Sequence, residues 1–89
     1  MAVILVACDL TNPGRKYQPL RDYLAGFTCC KDLESVWLLD TTTSTREIRD
    51  ALKPFLDDKD RTFVVRLQRD WYSTNLACGD WLKDPKRTW

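Results

Sequence analysis

Histidine is absent from this 89-residue chain, and its absence excludes several kinds of chemistry. Histidine is the commonest metal ligand and the commonest general base, so Ser-His-Asp triads and most zinc sites are ruled out. The four cysteines do not form the C-x-x-C spacing of zinc or redox sites: Cys8, Cys29, Cys30 and Cys78. We predict four reduced thiols in a cytoplasmic protein, where they act as small apolar side chains.

The chain also lacks an excess of charge, because 14 basic and 13 acidic residues leave a net charge of +1. Any contact with nucleic acid must therefore come from a local patch. No apolar run approaches the roughly 18 residues of a membrane span, so no membrane contact is expected. The length predicts one domain over residues 1–89, of which 70–89 form a Trp-rich C-terminal extension.

The most informative stretch is the apolar run over residues 2–8, which stops at Asp9. Its β-branched content predicts a strand that is buried on both faces and carries Asp9 at its carboxyl-terminal edge. Periodicity and turn residues then predict a helix, two strands, a second helix and a last strand over 18–25, 27–33, 36–39, 44–55 and 62–68. The second helix opens with the capping box Ser44 to Glu47.

This order of elements is the split βαβ pattern of an α+β, ferredoxin-like βαββαβ sandwich. It predicts an antiparallel sheet with the first and third strands central and both helices on one face. The other face of the sheet is apolar and needs a cover. We expect the Trp-rich extension and a second copy of the chain to supply it together, in a two-fold homodimer.

Several short motifs within residues 2–67 resemble one family. They are a strand ending in Asp9 (Val6-Ala7-Cys8-Asp9-Leu10), a Pro-Gly-Arg turn followed by Tyr17, the strand start Ser35-Val36-Trp37, and Asp60 before Val64-Val65. Together they resemble the small CRISPR-associated spacer-acquisition protein Cas-two, its stand-alone relatives and the RNA-cleaving virulence-associated protein D toxins. The chain departs from that pattern at Cys8, where a tyrosine is usual, and in its Trp-rich tail.

The resemblance implies a homodimer in which Asp9 and its symmetry mate approach each other near the two-fold axis. In nuclease members this pair is credited with holding a divalent metal, Mg²⁺ or Mn²⁺, for phosphodiester cleavage. In spacer acquisition the dimer is a structural adaptor for DNA. Asp9 is therefore the candidate catalytic residue and metal ligand.

Asp9 and the acidic loop each have a simpler interpretation than metal binding. Mg²⁺ accepts one or two carboxylates while keeping several waters, which a doubled Asp9 satisfies. Alternatively, Asp9 only ends its strand and accepts hydrogen bonds from the Thr11-Asn12 turn. The acidic loop with Asp57, Asp58 and Asp60 is expected to be solvated.

The candidate nucleic-acid-binding residues are cations in two places. Arg15 and Lys16 follow closely behind the Asp9 strand end, where they could position a phosphate. Arg46, Arg49 and Lys53 recur at i, i+3 and i+7 along the second helix. The alternative for this row is a solvated face with Arg46 paired to Asp50.

The tail supplies candidate interface residues: Trp71, Tyr72 and Trp81. We expect them to pack over the sheet or across a dimer, and stacking on unpaired DNA or RNA bases is the alternative. Two hypotheses of function follow. The first is a homodimer acting on nucleic acid, as a metal-dependent endonuclease or as a scaffold. The second is a non-catalytic module that docks a protein partner through the tail.

Overall fold

The computed structural model describes residues 2–12, 17–87 and 89. Three helices and four strands follow one another within this part of the chain, with a short 3-10 turn after the second helix. Their bounds are β1 Ala2–Asp9, α1 Gln18–Ala25, β2 Thr28–Cys30, β3 Val36–Thr41, α2 Thr45–Leu52, the 3-10 turn Lys53–Phe55, β4 Arg61–Arg66 and α3 Cys78–Lys83. The protein is thus of the α+β class, as the sequence predicts.

Strand β1 lies inside a four-stranded antiparallel sheet of order β2-β3-β1-β4. It pairs with β3 on one edge and with β4 on the other, so that Val6 lies opposite both Trp37 and Val64. Val3, Ile4 and Val6 are almost fully buried. The predicted central strand, buried on both faces, is therefore confirmed.

Both long helices pack on one face of the sheet, which we call the helix side. Its cluster joins alternate β1 residues to apolar residues of β3 and of the two helices: Ile4, Val6, Cys8, Leu20, Leu24, Trp37, Leu39, Ile48 and Leu52. The bounds of α1 are those predicted. The Ser44 cap at α2 is confirmed, because Ser44 Oγ accepts from the Glu47 amide at 3.1 Å. The reciprocal half of the capping box differs, since the Glu47 carboxylate accepts from the Ser44 hydroxyl at 3.2 Å and not from the Ser44 amide.

The C-terminal segment covers part of the opposite face, which we call the tail side. Val3 and Leu38 of the sheet pack there against Cys78 and Leu82 of α3, with partly buried residues around them: Leu5, Cys30, Leu67, Trp71, Leu76, Trp81 and Trp89. The sequence did not predict α3, because this segment has no helical periodicity. None of the described helices is long and apolar enough to cross a membrane.

The tail side also contains a disulfide that the sequence did not predict. Cys30 of β2 and Cys78 of α3 are bonded, with their Cα atoms 6.0 Å apart. The prediction of four reduced thiols is therefore wrong for this pair, while Cys8 and Cys29 are free. Cys29 packs on the helix side and Cys30 on the tail side, because neighbouring strand residues point to opposite faces.

Candidate functional site

Asp9 is exposed at the end of β1, on the same face of the strand as Val3 and Leu5. It lies opposite Arg61 in the β1–β4 register. An open depression of about 340 Å³ surrounds it, lined by Ala7, Cys8, Asp9, Glu34, Ser35, Val36, Arg61, Thr62 and Phe63. Asp9 thus lies at the end of the tail side that α3 does not reach.

The donor set around Asp9 suits a hard divalent ion better than a soft one. Asp9 and Glu34 border the same depression, and both supply carboxylate oxygens. Residues 2–12, 17–87 and 89 contain no group of three His, Cys, Asp or Glu that could hold a metal. The residues present fit an ion such as Mg²⁺ or Mn²⁺ that takes one or two carboxylates and keeps its waters.

The carboxylate with the most hydrogen bonds nearby is Asp60, not Asp9. Asp60 accepts from the amide and hydroxyl of Thr11 at 2.8 and 3.1 Å, from the Tyr17 hydroxyl at 2.7 Å and from the Asp57 amide at 2.8 Å. The alternative in which Asp9 ends its strand and accepts from the Thr11-Asn12 turn is therefore wrong for Thr11, since both Thr11 donors go to Asp60, although Asp9 does end β1. The expectation that the acidic loop is merely solvated is also wrong for Asp60.

These hydrogen bonds fix the protonation state of Asp60. Desolvation acts to raise its pKa, but the bonds from Thr11, Asp57 and Tyr17 outweigh it and lower the pKa from 3.8 to about 2. Burial and the bond to Asp60 in turn raise the pKa of Tyr17. Asp60 is therefore an ionised anchor that ties the loop after β1 to the loop before β4, and it positions the end of the strand that carries Asp9.

Cys8, beside Asp9 in the chain, is not a nucleophile at neutral pH. Its side chain is buried on the helix side. Burial, and secondarily the negative charge of Asp60, raises the pKa of the Cys8 thiol from 9.0 to about 11. The thiol therefore stays protonated and packs as a small apolar group.

The predicted cations do not gather around Asp9. Arg46 and Arg49 are exposed on α2, and Lys53 is exposed at the start of the 3-10 turn that follows it. The buried residues of α2 face the helix side, so these cations lie across the sheet from Asp9. Asp50 pairs with Arg49 at 2.8 Å, and the predicted Arg46–Asp50 pair does not form. Arg15 and Lys16 lie outside the described residues.

The tail aromatics differ in what they contact. Trp71 stacks on Trp89 with ring centroids 6.5 Å apart. The guanidinium carbon of Arg87 lies 4.2 Å from the centroid of the Trp81 ring. Tyr72 is 97% exposed. Trp71 and Trp81 are therefore half-buried parts of the cover over the sheet, whereas Tyr72 is free to contact a partner.

The described chain exposes three large apolar side chains, and all three border one surface. Leu33, Phe63 and Tyr72 are 54%, 64% and 97% exposed. Leu33 and Tyr72 line an apolar groove under the tail, Phe63 lines the depression around Asp9, and Val36 borders both. We call this surface, Leu33, Val36, Phe63 and Tyr72, the open face. Large apolar side chains exposed around two adjoining depressions make this surface a candidate interaction site.

Sequence reasoning missed Glu34, Arg61 and Leu33 as neighbours of the site. Glu34 and Leu33 precede β3, and Ser35 between them and the strand has a positive φ of 62°, so this turn could not be predicted from hydrophobic patterning. Arg61 could have been found from strand pairing, because an antiparallel partner of β1 places the start of β4 opposite Asp9.

No family model matches the chain, and no solved structure matches it either.

The fold and the site together define a class of protein rather than a particular one. It is a small α+β protein with an exposed apolar surface beside two carboxylates.

Proposed function

We propose that the chain is a Cas-two-like protein with a ferredoxin-like fold, which forms a homodimer through the open face and acts on nucleic acid. The strand order β2-β3-β1-β4 and the packing of α1 and α2 on one face are compatible with that fold. The motifs around Asp9, Val36 and Asp60 supply the resemblance to the family. The tail leaves the end of the sheet next to Asp9 uncovered, and a second copy needs such an uncovered surface to bind there.

One observation carries the proposal: Asp9 lies in a depression that is continuous with the open face. A two-fold contact uses the same patch on both copies. If that patch is the open face and the two-fold axis passes through its Asp9 end, each Asp9 would lie at the contact, near its counterpart. Phe63 and Val36, which border the depression, would be buried in the same contact.

The paired carboxylates would define a cleavage site. Asp9 of each copy, with Glu34, would hold Mg²⁺ or Mn²⁺, and the ion would supply positive charge to activate a water and to stabilise the phosphate in cleavage. Arg61, opposite Asp9 in the sheet, would place positive charge beside the phosphate. Asp60 would keep the end of β1 in position through its bonds to Thr11.

A nuclease assay with Mg²⁺ or Mn²⁺ tests the catalytic part. We expect cleavage of labelled RNA or DNA by the parent chain and loss of at least tenfold in rate for Asp9→Asn, a typical minimum when a metal-binding or catalytic carboxylate is removed. Asp58→Asn, an exposed carboxylate in the acidic loop, is the matched control and should cleave as the parent does. Equal cleavage by Asp9→Asn and the parent would exclude Asp9 as the catalytic residue.

Sedimentation of the same proteins tests the dimer separately. Phe63→Arg should convert the dimer to a monomer, because it places two charges in the proposed contact. Arg66→Glu, also on β4 but on the opposite face from Phe63, should stay dimeric. A parent chain that is monomeric at all concentrations would overturn the proposed association.

A second candidate function is a non-catalytic scaffold, and the position of the cation row favours it. Arg46, Arg49 and Lys53 lie across the sheet from Asp9, so a strand bound along α2 does not pass the carboxylates of the same copy. Binding to labelled duplex or single strands at two salt concentrations tests this role. Salt-sensitive binding without cleavage supports the scaffold, and no salt-sensitive binding removes it.

The cytoplasmic location belongs to this proposal and conflicts with one feature of the tail. Cytosolic thiols are kept reduced, whereas Cys30 and Cys78 form a disulfide. Trapping the thiols with a mass-tagged alkylating reagent in intact cells separates the cases. Two accessible thiols more than in the purified oxidised protein would place the chain in a reducing compartment.

A further inference from the structure

An apolar groove of about 210 Å³ lies between the sheet and the tail. Its floor is formed by sheet residues and its wall by the tail, including both cysteines of the disulfide. The lining residues are Leu5, Cys30, Asp32, Leu33, Val36, Leu38, Leu67, Trp71, Tyr72, Ser73, Leu76, Cys78 and Leu82. Most of the groove is therefore lined by aliphatic, aromatic and sulfur atoms.

The groove has the size of a small-molecule site. Apolar cavities of about 150 Å³ admit benzene, so a volume of about 210 Å³ has room for one aromatic ring with a short side chain. The Cys30–Cys78 bond fixes α3 against β2, which holds the wall in place before any ligand arrives. A preformed site of this kind avoids part of the ordering cost of binding.

Asp32 is the one charged residue among the described residues that line the groove. Its Oδ2 accepts from the Ala77 amide at 2.7 Å, which fixes the carboxylate beside the start of α3. Its other oxygen has no hydrogen-bond partner within the described part of the chain. Because Asp32 is exposed, it stands at the rim, where a ligand's polar end would reach solvent.

We propose that this groove binds a small primary amine with an aromatic or branched aliphatic body. The body fills the space above Leu5 and Leu38, and the ammonium group pairs with Asp32 at the rim. Charge complementarity selects the amine, because an ammonium group gains an ion pair with Asp32, whereas a neutral ligand of the same shape gains none and an anionic ligand is repelled. The groove shares Leu33, Val36 and Tyr72 with the open face, so the inference concerns the chain whose groove is not covered by a second copy, and it needs neither Asp9 nor cleavage.

An NMR titration with 2-phenylethylamine, 2-phenylethanol and ethylamine tests the proposal on the intact, oxidised chain. We expect saturable shifts for the backbone amides of Leu5, Leu38 and Cys78 with 2-phenylethylamine, and none for Leu24 and Leu39 on the helix side. Exposed ion pairs contribute modestly, so the amine should bind roughly two- to fivefold more tightly than the alcohol. Ethylamine, which lacks the apolar body, should not saturate.

Two substitutions separate the contribution of the Asp32 charge to binding from that of the shape of the groove. Asp32→Asn retains an oxygen that can accept from Ala77 and should remove the preference for the amine while leaving the affinity for 2-phenylethanol unchanged. Asp80→Asn, at an exposed carboxylate of α3 that does not line the groove, should keep the preference. Equal affinities of amine and alcohol for the parent chain, shifts centred on Leu24 and Leu39, or no saturable binding would each overturn the proposal.

Discussion

The two sides of the sheet are covered by different means. On the helix side, two amphipathic helices of eight residues each bury Leu20, Leu24, Ile48 and Leu52 completely. On the tail side, the cover is the six-residue helix α3, held by a disulfide to Cys30 and by an ion pair between Arg87 and Asp40. Hydrophobic packing holds the cover of the helix side, whereas the cover of the tail side also depends on a disulfide and an ion pair.

The helices of the two covers also differ in length. A helix of six residues is far too short to be stable by itself, so α3 depends on what ties it to the sheet. The described tail also leaves the end of the sheet near Asp9 uncovered, and Phe63 is exposed there. Both candidate surfaces of this protein, the open face and the groove, arise where the second cover is incomplete.

The buried ion pair gives the largest expected effect on the tail side. Arg87 Nη1 lies 3.3 Å from Asp40 Oδ2, and the two side chains are only 8% and 4% exposed. Arg87→Met leaves the Asp40 carboxylate buried without its partner. We expect the free energy of unfolding, measured in urea, to fall by about 3 to 5 kcal/mol, the usual cost of breaking a buried pair.

The double variant Asp40→Leu, Arg87→Met sharpens this test. Asp40 Oδ1 and both Nε and Nη1 of Arg87 have no hydrogen-bond partner within the described residues, so the two side chains interact by charge and are incompletely satisfied. Replacing both members with apolar residues should recover most of the loss or exceed the parent stability. A double variant as unstable as Arg87→Met alone would show that Arg87 acts by packing on Trp81 rather than through its charge.

The helix side could be predicted from the sequence because its signals are local. The spacing of Leu20 and Leu24 and the Ser44 capping box each depend on residues within one or two helical turns. The apolar run that forms β1 likewise identifies itself by composition. These elements formed within a few residues of the predicted bounds.

The tail side could not be predicted because its contacts are distant in sequence. Cys30 and Cys78 are 48 residues apart, and nothing in their spacing indicates that they meet. Arg87 lies in a basic segment, and the sequence alone suggests a solvated cation. Only the fold shows that its guanidinium lies next to Asp40. The same reason explains Asp60, whose role depends on Thr11 and Tyr17 across the sheet end.

Loss of the disulfide gives the next largest expected effect, and it should affect the tail side and the helix side of the sheet differently. The double variant Cys30→Ala, Cys78→Ala should lower the free energy of unfolding by about 2 to 4 kcal/mol. Amide hydrogen exchange should accelerate most in α3, whereas Leu24 and Leu39 should remain protected up to global unfolding. Cys29→Ala, which keeps the disulfide, is the matched control, and equal acceleration on both sides would contradict the comparison.

Asp60 provides the smallest expected effect and tests the polar contacts of the helix side. It joins the loop that leads into α1 to the loop that leaves α2. Its pKa is lowered from 3.8 to about 2 in the folded state, so its stabilising contribution is present above pH 4 or so and is lost as the pH falls towards 2. Asp60→Asn removes the charge, and its stability deficit relative to the parent should therefore be constant near neutral pH and shrink between those two values.

Urea midpoints measured from pH 7 to pH 2 give this deficit, with Asp58→Asn as the control that should track the parent throughout. A deficit for Asp60→Asn that stays the same down to pH 2 would mean that the side chain acts through shape and not through its ionised carboxylate.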